Sequence, residues 1–135
     1  MAVRYIVDDV AAAVAFYTEH LGFRVAMGPV PGFAILVRED LRLLLNQPGA
    51  GGAGHAGEQE GSPPAPGGWN RFQLEVADLD DEVERLRGAG VAFRGSVAEG
   101  AGGRQILVED PSGNPIELFD PASPVTDPPA PSSGQ

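Results

Sequence analysis

The sequence predicts an α+β domain in which two βαβββ repeats form a curved mixed-sheet cup. Three observations carry that expectation. The order of elements occurs twice, a shift of 69 residues carries Asp9-Val10 onto Asp78-Leu79, and a stretch rich in Gly, Pro and Ala separates the halves. The 135 residues suit a single core. We expect one domain over residues 1–119, with repeat one at 1–46, a flexible loop at 47–68 and repeat two at 69–119. A disordered tail is expected at 120–135.

In the first repeat, Ala2 to Val7 is β-rich, and Asp9 is an acceptable N-cap. Val10, Ala13, Val14, Tyr17 and Leu21 then recur at helical spacing, with Gly22 closing the helix. Phe23 to Met27 reads as a strand that ends at the Gly28-Pro29 and Pro31-Gly32 breakers. Phe33 to Val37 and Leu41 to Leu45, split by the polar Arg38-Glu39-Asp40 turn, read as a hairpin.

In the second repeat, Trp69 to Val76 reads as a strand, and Asp78 caps a helix carrying Leu79, Val83 and Leu86 that ends at Gly88 or Gly90. Val91 to Phe93, Gln105 to Val108 and Ile116 to Phe119 supply the remaining strands, the last two joined by the turn Asp110-Pro111-Ser112-Gly113-Asn114. Alternation puts Phe72, Leu74 and Val76 under the helix and Arg71, Gln73 and Glu75 on the opposite, cup-side face. By the same rule Val3, Tyr5 and Val7 back onto the first helix, and Ala2, Arg4 and Ile6 face the cup.

Composition removes several function classes. There is no cysteine, hence no disulfide, thiolate ligand or thiol nucleophile, and no run of apolar residues approaches a membrane span. A net charge of -10 without a basic stripe argues against nucleic acid and anionic lipid. All nine basic residues are arginine, so lysine Schiff-base chemistry is absent. Gly49 to Gly57 lacks the lysine and the strand-to-helix setting of a phosphate loop. A cytoplasmic protein is expected, with neither nucleic-acid nor membrane partners.

Two blocks, VDDVAAAVAFYTEHLGFRV and EDPSGNPIELF, resemble the opening and closing segments of the glyoxalase/bleomycin-resistance/dioxygenase, or vicinal oxygen chelate, superfamily. With WNRFQLEVADLDDEVERLRGAGV between them, the likeness runs from Val3 to Phe119. The resemblance implies two half-cups around a ligand or metal cavity, and a homodimer.

Metal-dependent relatives place one ligand near the start of each half's first strand and one acid on each half's last strand. The repeat puts those positions at Ala2 and Arg71, and at Leu44 and Glu117. Glu117 alone can bind a cation there, and neither His20, at a helix end, nor His55, in the glycine-rich loop, matches a ligand strand. No cofactor is predicted, and a divalent metal is not expected.

Glu117 is the candidate catalytic base, set against a carboxylate neutralised by Arg71 or Arg4. Candidate ligand-binding residues are Arg4, Arg42, Arg71, Gln73, Glu75, Trp69 and Phe119. Trp69, Phe33, Phe119 and Tyr5 are read first as core and second as walls for a planar ligand. Tyr17 is assigned to packing, His20 to the helix C-terminus, and Asp8, Asp9, Asp78, Asp80 and Asp81 to helix starts. Two functions follow, with a purely structural module as a third: a metal-free protein that binds a small organic molecule, or a lyase, isomerase or dioxygenase using Glu117 and an unanticipated divalent metal site.

Overall fold

Asp9 and Asp78 start their helices as expected, each carboxylate accepting a hydrogen bond at 3.1 Å from the backbone N–H three residues on. The computed structural model describes residues 1–57, 59 and 61–122. Its first half runs β1 (Ala2–Ile6), α1 (Val10–His20), β2 (Arg24–Val30), β3 (Phe33–Arg38) and β4 (Leu41–Asn46). A short helix, α2 (Gly51–Gly54), lies in the connection. The second half runs β5 (Gln73–Glu75), α3 (Leu79–Gly88), β6 (Ala92–Gly100), β7 (Gly103–Glu109) and β8 (Pro115–Pro121).

Each half forms its own four-stranded sheet, in the orders β1-β4-β3-β2 and β5-β8-β7-β6. The first and last strands of each half pair in parallel and the rest are antiparallel. Register confirms the duplication residue by residue, since Arg4 lies opposite Leu44 and Gln73 opposite Glu117. The helix starts match as well. Gln47 Oε1 accepts from the Val10 N–H at 2.9 Å, and Asp120 Oδ2 accepts from the Leu79 N–H at 3.0 Å. In both halves the side chain just past the end of the parallel ladder thus satisfies an unpaired amide of the helix's first turn.

Alternation places the core where the sequence predicts it. Tyr5, Val7, Phe72 and Leu74 are buried, while Ala2, Arg4, Arg71, Gln73 and Glu75 are exposed. Val10, Ala13, Phe16 and Tyr17 of α1 and Leu79 and Leu86 of α3 join one cluster with strand residues of both sheets. Aromatic rings bridge the halves, with Tyr5 and Phe72 at 5.1 Å between centroids and Phe23 and Phe72 at 6.1 Å.

Several boundaries differ from expectation, each for a physical reason. β2 continues through Gly28-Pro29 to Val30, because β2 is an edge strand whose bulges accommodate a proline that could not sit in a central ladder. β6 is much longer than Val91 to Phe93, and its register shift between Arg94 and Ala98 is centred on Gly95 at φ 87°, a conformation that favours glycine.

β5 is only Gln73–Glu75, so Trp69 precedes the strand and is 66% exposed instead of lying in the core. Gly88 is still helical, and Gly90, at φ 81°, lies in the turn that ends α3. Asp120 and Pro121 belong to β8 and not to a tail, because the Asp120 side chain holds the start of α3. The tail expectation for 123–135 lies outside the described residues. Among the described residues no helix is long and apolar enough to cross a membrane.

Candidate functional site

On the cup-side face of the second sheet, Glu117 is only 8% exposed and both its oxygens are occupied. Oε1 accepts from Arg71 Nε at 3.0 Å and Nη2 at 2.9 Å, and Oε2 accepts from Gln73 Nε2 at 2.6 Å. Arg71 also donates through Nη1 to the Trp69 carbonyl at 3.3 Å. The parallel ladder causes this arrangement, since β5 lies beside β8 with Gln73 opposite Glu117 and Arg71 two residues earlier on the same face. Of the two arginines considered for Glu117, Arg71 is therefore the partner. Arg4 instead donates to Asn46 Oδ1, while Asn46 Nδ2 donates to the Ala50 carbonyl at 3.2 Å.

Next along the same face, Arg94 donates from Nε to Glu109 at 2.8 Å and from Nη2 to the Gly113 carbonyl at 2.8 Å. Its guanidinium lies 4.6 Å from the centre of the Trp69 ring. This stacking gives Trp69 its role: it covers Arg94 at the entrance to β5. Phe119 is half-buried opposite Glu75 and Gln105. Glu75 does not join Glu117. It lines a cleft of about 430 Å³ near the end of α1, together with Arg38, Glu82 and Arg85.

The first sheet repeats the backbone with different chemistry. Pairing puts Ala2, Arg42, Val37 and Arg24 in one row across β1, β4, β3 and β2. The next row on that face is Arg4, Leu44, Ile35 and Met27, and the next is Ile6, Asn46, Phe33 and Val30. Leu44 lies opposite Arg4 as Glu117 lies opposite Gln73, so the two occupy matched positions of their sheets. Ala2 and Leu44 lie on this sheet, and Arg71 and Glu117 on the other.

The sequence reading missed Arg24, Arg94 and Glu109 as members of these faces. Alternation outward from the buried Phe23 would have found Arg24. Arg94 was hidden because the reading ended its strand at Phe93.

A second polar assembly ties the halves together behind the cup. The Tyr17 hydroxyl donates to Asp110 Oδ2 at 2.8 Å, and Asn114 Nδ2 donates to the same oxygen at 3.0 Å and to the Ile6 carbonyl at 2.8 Å. Asp110 Oδ1 accepts from the Ser112 and Asn114 N–H groups, both at 2.9 Å. Burial, reinforced by the neighbouring Asp110 carboxylate, holds the Tyr17 phenol well above its ordinary pKa. The Tyr5 hydroxyl donates to the Pro115 carbonyl at 2.6 Å, and burial pushes its pKa up to about 12. Tyr17 thus packs as expected and also supplies a buried hydrogen bond that periodicity alone does not reveal. Tyr5 is core and not a ligand wall.

The residues present do not fit the metal centre of the metal-dependent relatives. Three of the four matched positions offer no donor, and the fourth is bonded to a guanidinium and an amide. Among the described residues no group of three or more His, Asp or Glu side chains is placed to hold a metal ion.

The sequence model of the Glyoxalase/Bleomycin resistance protein/Dioxygenase superfamily matches residues 2–118, and the chain belongs to that family. Three solved structures illustrate the likeness. TnmS3, an antibiotic binding protein from Streptomyces sp. CB03234, is 27% identical with a TM-score of 0.67, over 90% of this chain and 93% of its own. Lactoylglutathione lyase from Agrobacterium tumefaciens is 20% identical with a TM-score of 0.70, over 89% and 91%. The bleomycin-binding protein of Streptomyces verticillus, solved with copper(II)-bleomycin, is 24% identical with a TM-score of 0.60, over 89% and 93%. The latter two likenesses concern the fold alone. No curated protein matches the chain.

Proposed function

We propose that this chain binds a small organic molecule on the cup-side faces of its sheets, without the metal of its metal-dependent relatives. The observation that carries the reading is Glu117. A cation at that oxygen pair would have to displace Arg71 and Gln73 and leave a guanidinium without its carboxylate, which is costly at a site this buried. The likeness to TnmS3, an antibiotic binding protein, supports a small-molecule ligand.

A homodimer belongs to the same reading. Edge strand β2 exposes Val25, Met27 and Val30 by 42%, 46% and 47%, an apolar flank that a second copy would cover while closing the cup. Light scattering is expected to return a dimer, and a monomer at micromolar concentration removes this part.

The deciding experiment is a thermal-shift screen of the purified chain against drug-like molecules and metabolites, run beside elemental analysis. Stabilisation by at least one compound, with no stoichiometric metal, is the expected result. A stoichiometric metal that disappears in Glu117→Ala would overturn the metal-free reading in favour of an enzyme built on Glu117.

A further inference from the structure

The arginines of the two halves are used differently. In the second half Arg71, Arg85, Arg94 and Arg104 pair with Glu117, Glu82, Glu109 and Asp80. Arg87 lies over the Phe93 ring at 5.1 Å. In the first half Arg4 bonds the neutral Asn46, and Arg24, Arg38 and Arg42 have no ion-pair or hydrogen-bond partner among the described residues. Shortage of carboxylates is not the cause, since the chain has 19 acids for nine arginines.

Three of these four arginines share one face. Arg24 and Arg42 flank Val37 in the same row, and Arg4 stands one row further along β1 beside Leu44. Those rows contain no acid. Neighbouring strands lie about 4.8 Å apart, so Arg24 and Arg42, on alternate strands, start roughly 10 Å from each other and can converge on one group over Val37. From there the face continues as half-buried aliphatic and aromatic surface through Ile35 and Leu44 to Phe33.

We propose that this face takes the anionic end of the bound molecule, an oxyanion head carried on an apolar body. The inference rests on the small-molecule reading above and names the ligand class at that site. Exposed guanidiniums without internal carboxylates form charge-assisted, forked hydrogen bonds to an oxyanion. The apolar rows behind them bury the body. A cationic ligand would meet three like charges and no counter-charge on that surface. The net charge of -10 repels anions from the molecule as a whole, so this face is where an anion is recognised locally.

The test is calorimetric titration of the intact chain with 2-naphthoate, 2-naphthyl phosphate and uncharged 2-naphthamide, at low and high salt. At least one anion is expected to bind about tenfold or more tightly than the amide, with the preference shrinking as salt rises. Arg24→Gln and Arg42→Gln should each weaken that anion about tenfold and leave the amide unchanged. Arg87→Gln, on α3, should change neither. Arg24 and Arg42 have no internal partner, so the melting temperatures of their variants should match the parent and exclude misfolding.

Equal binding of amide and anions, or anion binding indifferent to both substitutions, overturns the proposal. So does a wild type that binds no anion and whose dimer is split by the two substitutions, because the arginines then serve the second copy. If neutral or cationic compounds stabilise the chain while both anions fail, this inference falls and the small-molecule reading stands. If no compound of any charge binds, both fall.

Discussion

Glu117 and Leu44 occupy matched positions on two sheets with matched register, yet one is fastened by Arg71 and Gln73 while the other lies on an apolar surface beside Arg4. Likewise Arg94 is bonded to Glu109 and covered by Trp69, whereas Arg24 and Arg42 on the first sheet meet no acid. The contrast shows that the repeated backbone fixes where side chains point, and leaves open which of them neutralise one another. On one face Arg71 and Arg94 are neutralised by carboxylates of the same sheet. The other carries guanidiniums that no carboxylate among the described residues neutralises.

The comparison is broken most severely at the seam that holds both sheets in place. Asp110→Ala should cost about 3 kcal/mol or more, because it strips the acceptor from the Tyr17 hydroxyl and from Asn114 in a buried network. Urea unfolding checks this, and a loss below about 1 kcal/mol would show that the seam depends on packing instead.

A smaller effect sharpens the contrast between faces. A double-mutant cycle of Arg71→Ala and Glu117→Ala should give a coupling of about 1–3 kcal/mol. The same cycle on Arg104 and Asp80, whose side chains are 32% and 74% exposed, should give a coupling too small to resolve, because solvent screens the pair. Equal couplings would mean that the enclosed pair is no tighter than a surface one.

A third test is at Tyr5. Its folded phenol holds its proton more tightly than the unfolded one, so the stabilisation is complete below pH 10 and lost as the pH rises through about 12. Tyr5→Phe should cost about 1 kcal/mol at neutral pH by removing the bond to the Pro115 carbonyl. It should also flatten part of the alkaline decline, which denaturant midpoints across that pH range would show.

Much of this was readable from residue order. The caps at Asp9 and Asp78 and the alternation through Phe72 and Leu74 are local consequences of helix and strand periodicity, and the internal repeat brought Arg71 within reach of Glu117, 46 residues away. The remainder depends on partners far apart in sequence. Nothing near Trp69 announces that Arg94 will lie over it, and nothing near Tyr17 announces Asp110, 93 residues away. Gly28-Pro29 reads as a break because its tolerance comes from the edge position of β2, which only the assembled sheet defines.

The division of the strands into two sheets, neither of which borrows a strand from the other half, has a consequence for assembly from fragments. Severing the backbone between β4 and β5 would break no ladder: each piece keeps its parallel closing pair and the side chain that fastens its own helix. What the pieces must recover is the shared aromatic layer and a handful of bonds such as Tyr5 to Pro115 and Tyr17 to Asp110. Reconstitution from two polypeptides thus turns on rejoining that shared layer, with no strand ladder to rebuild across the cut.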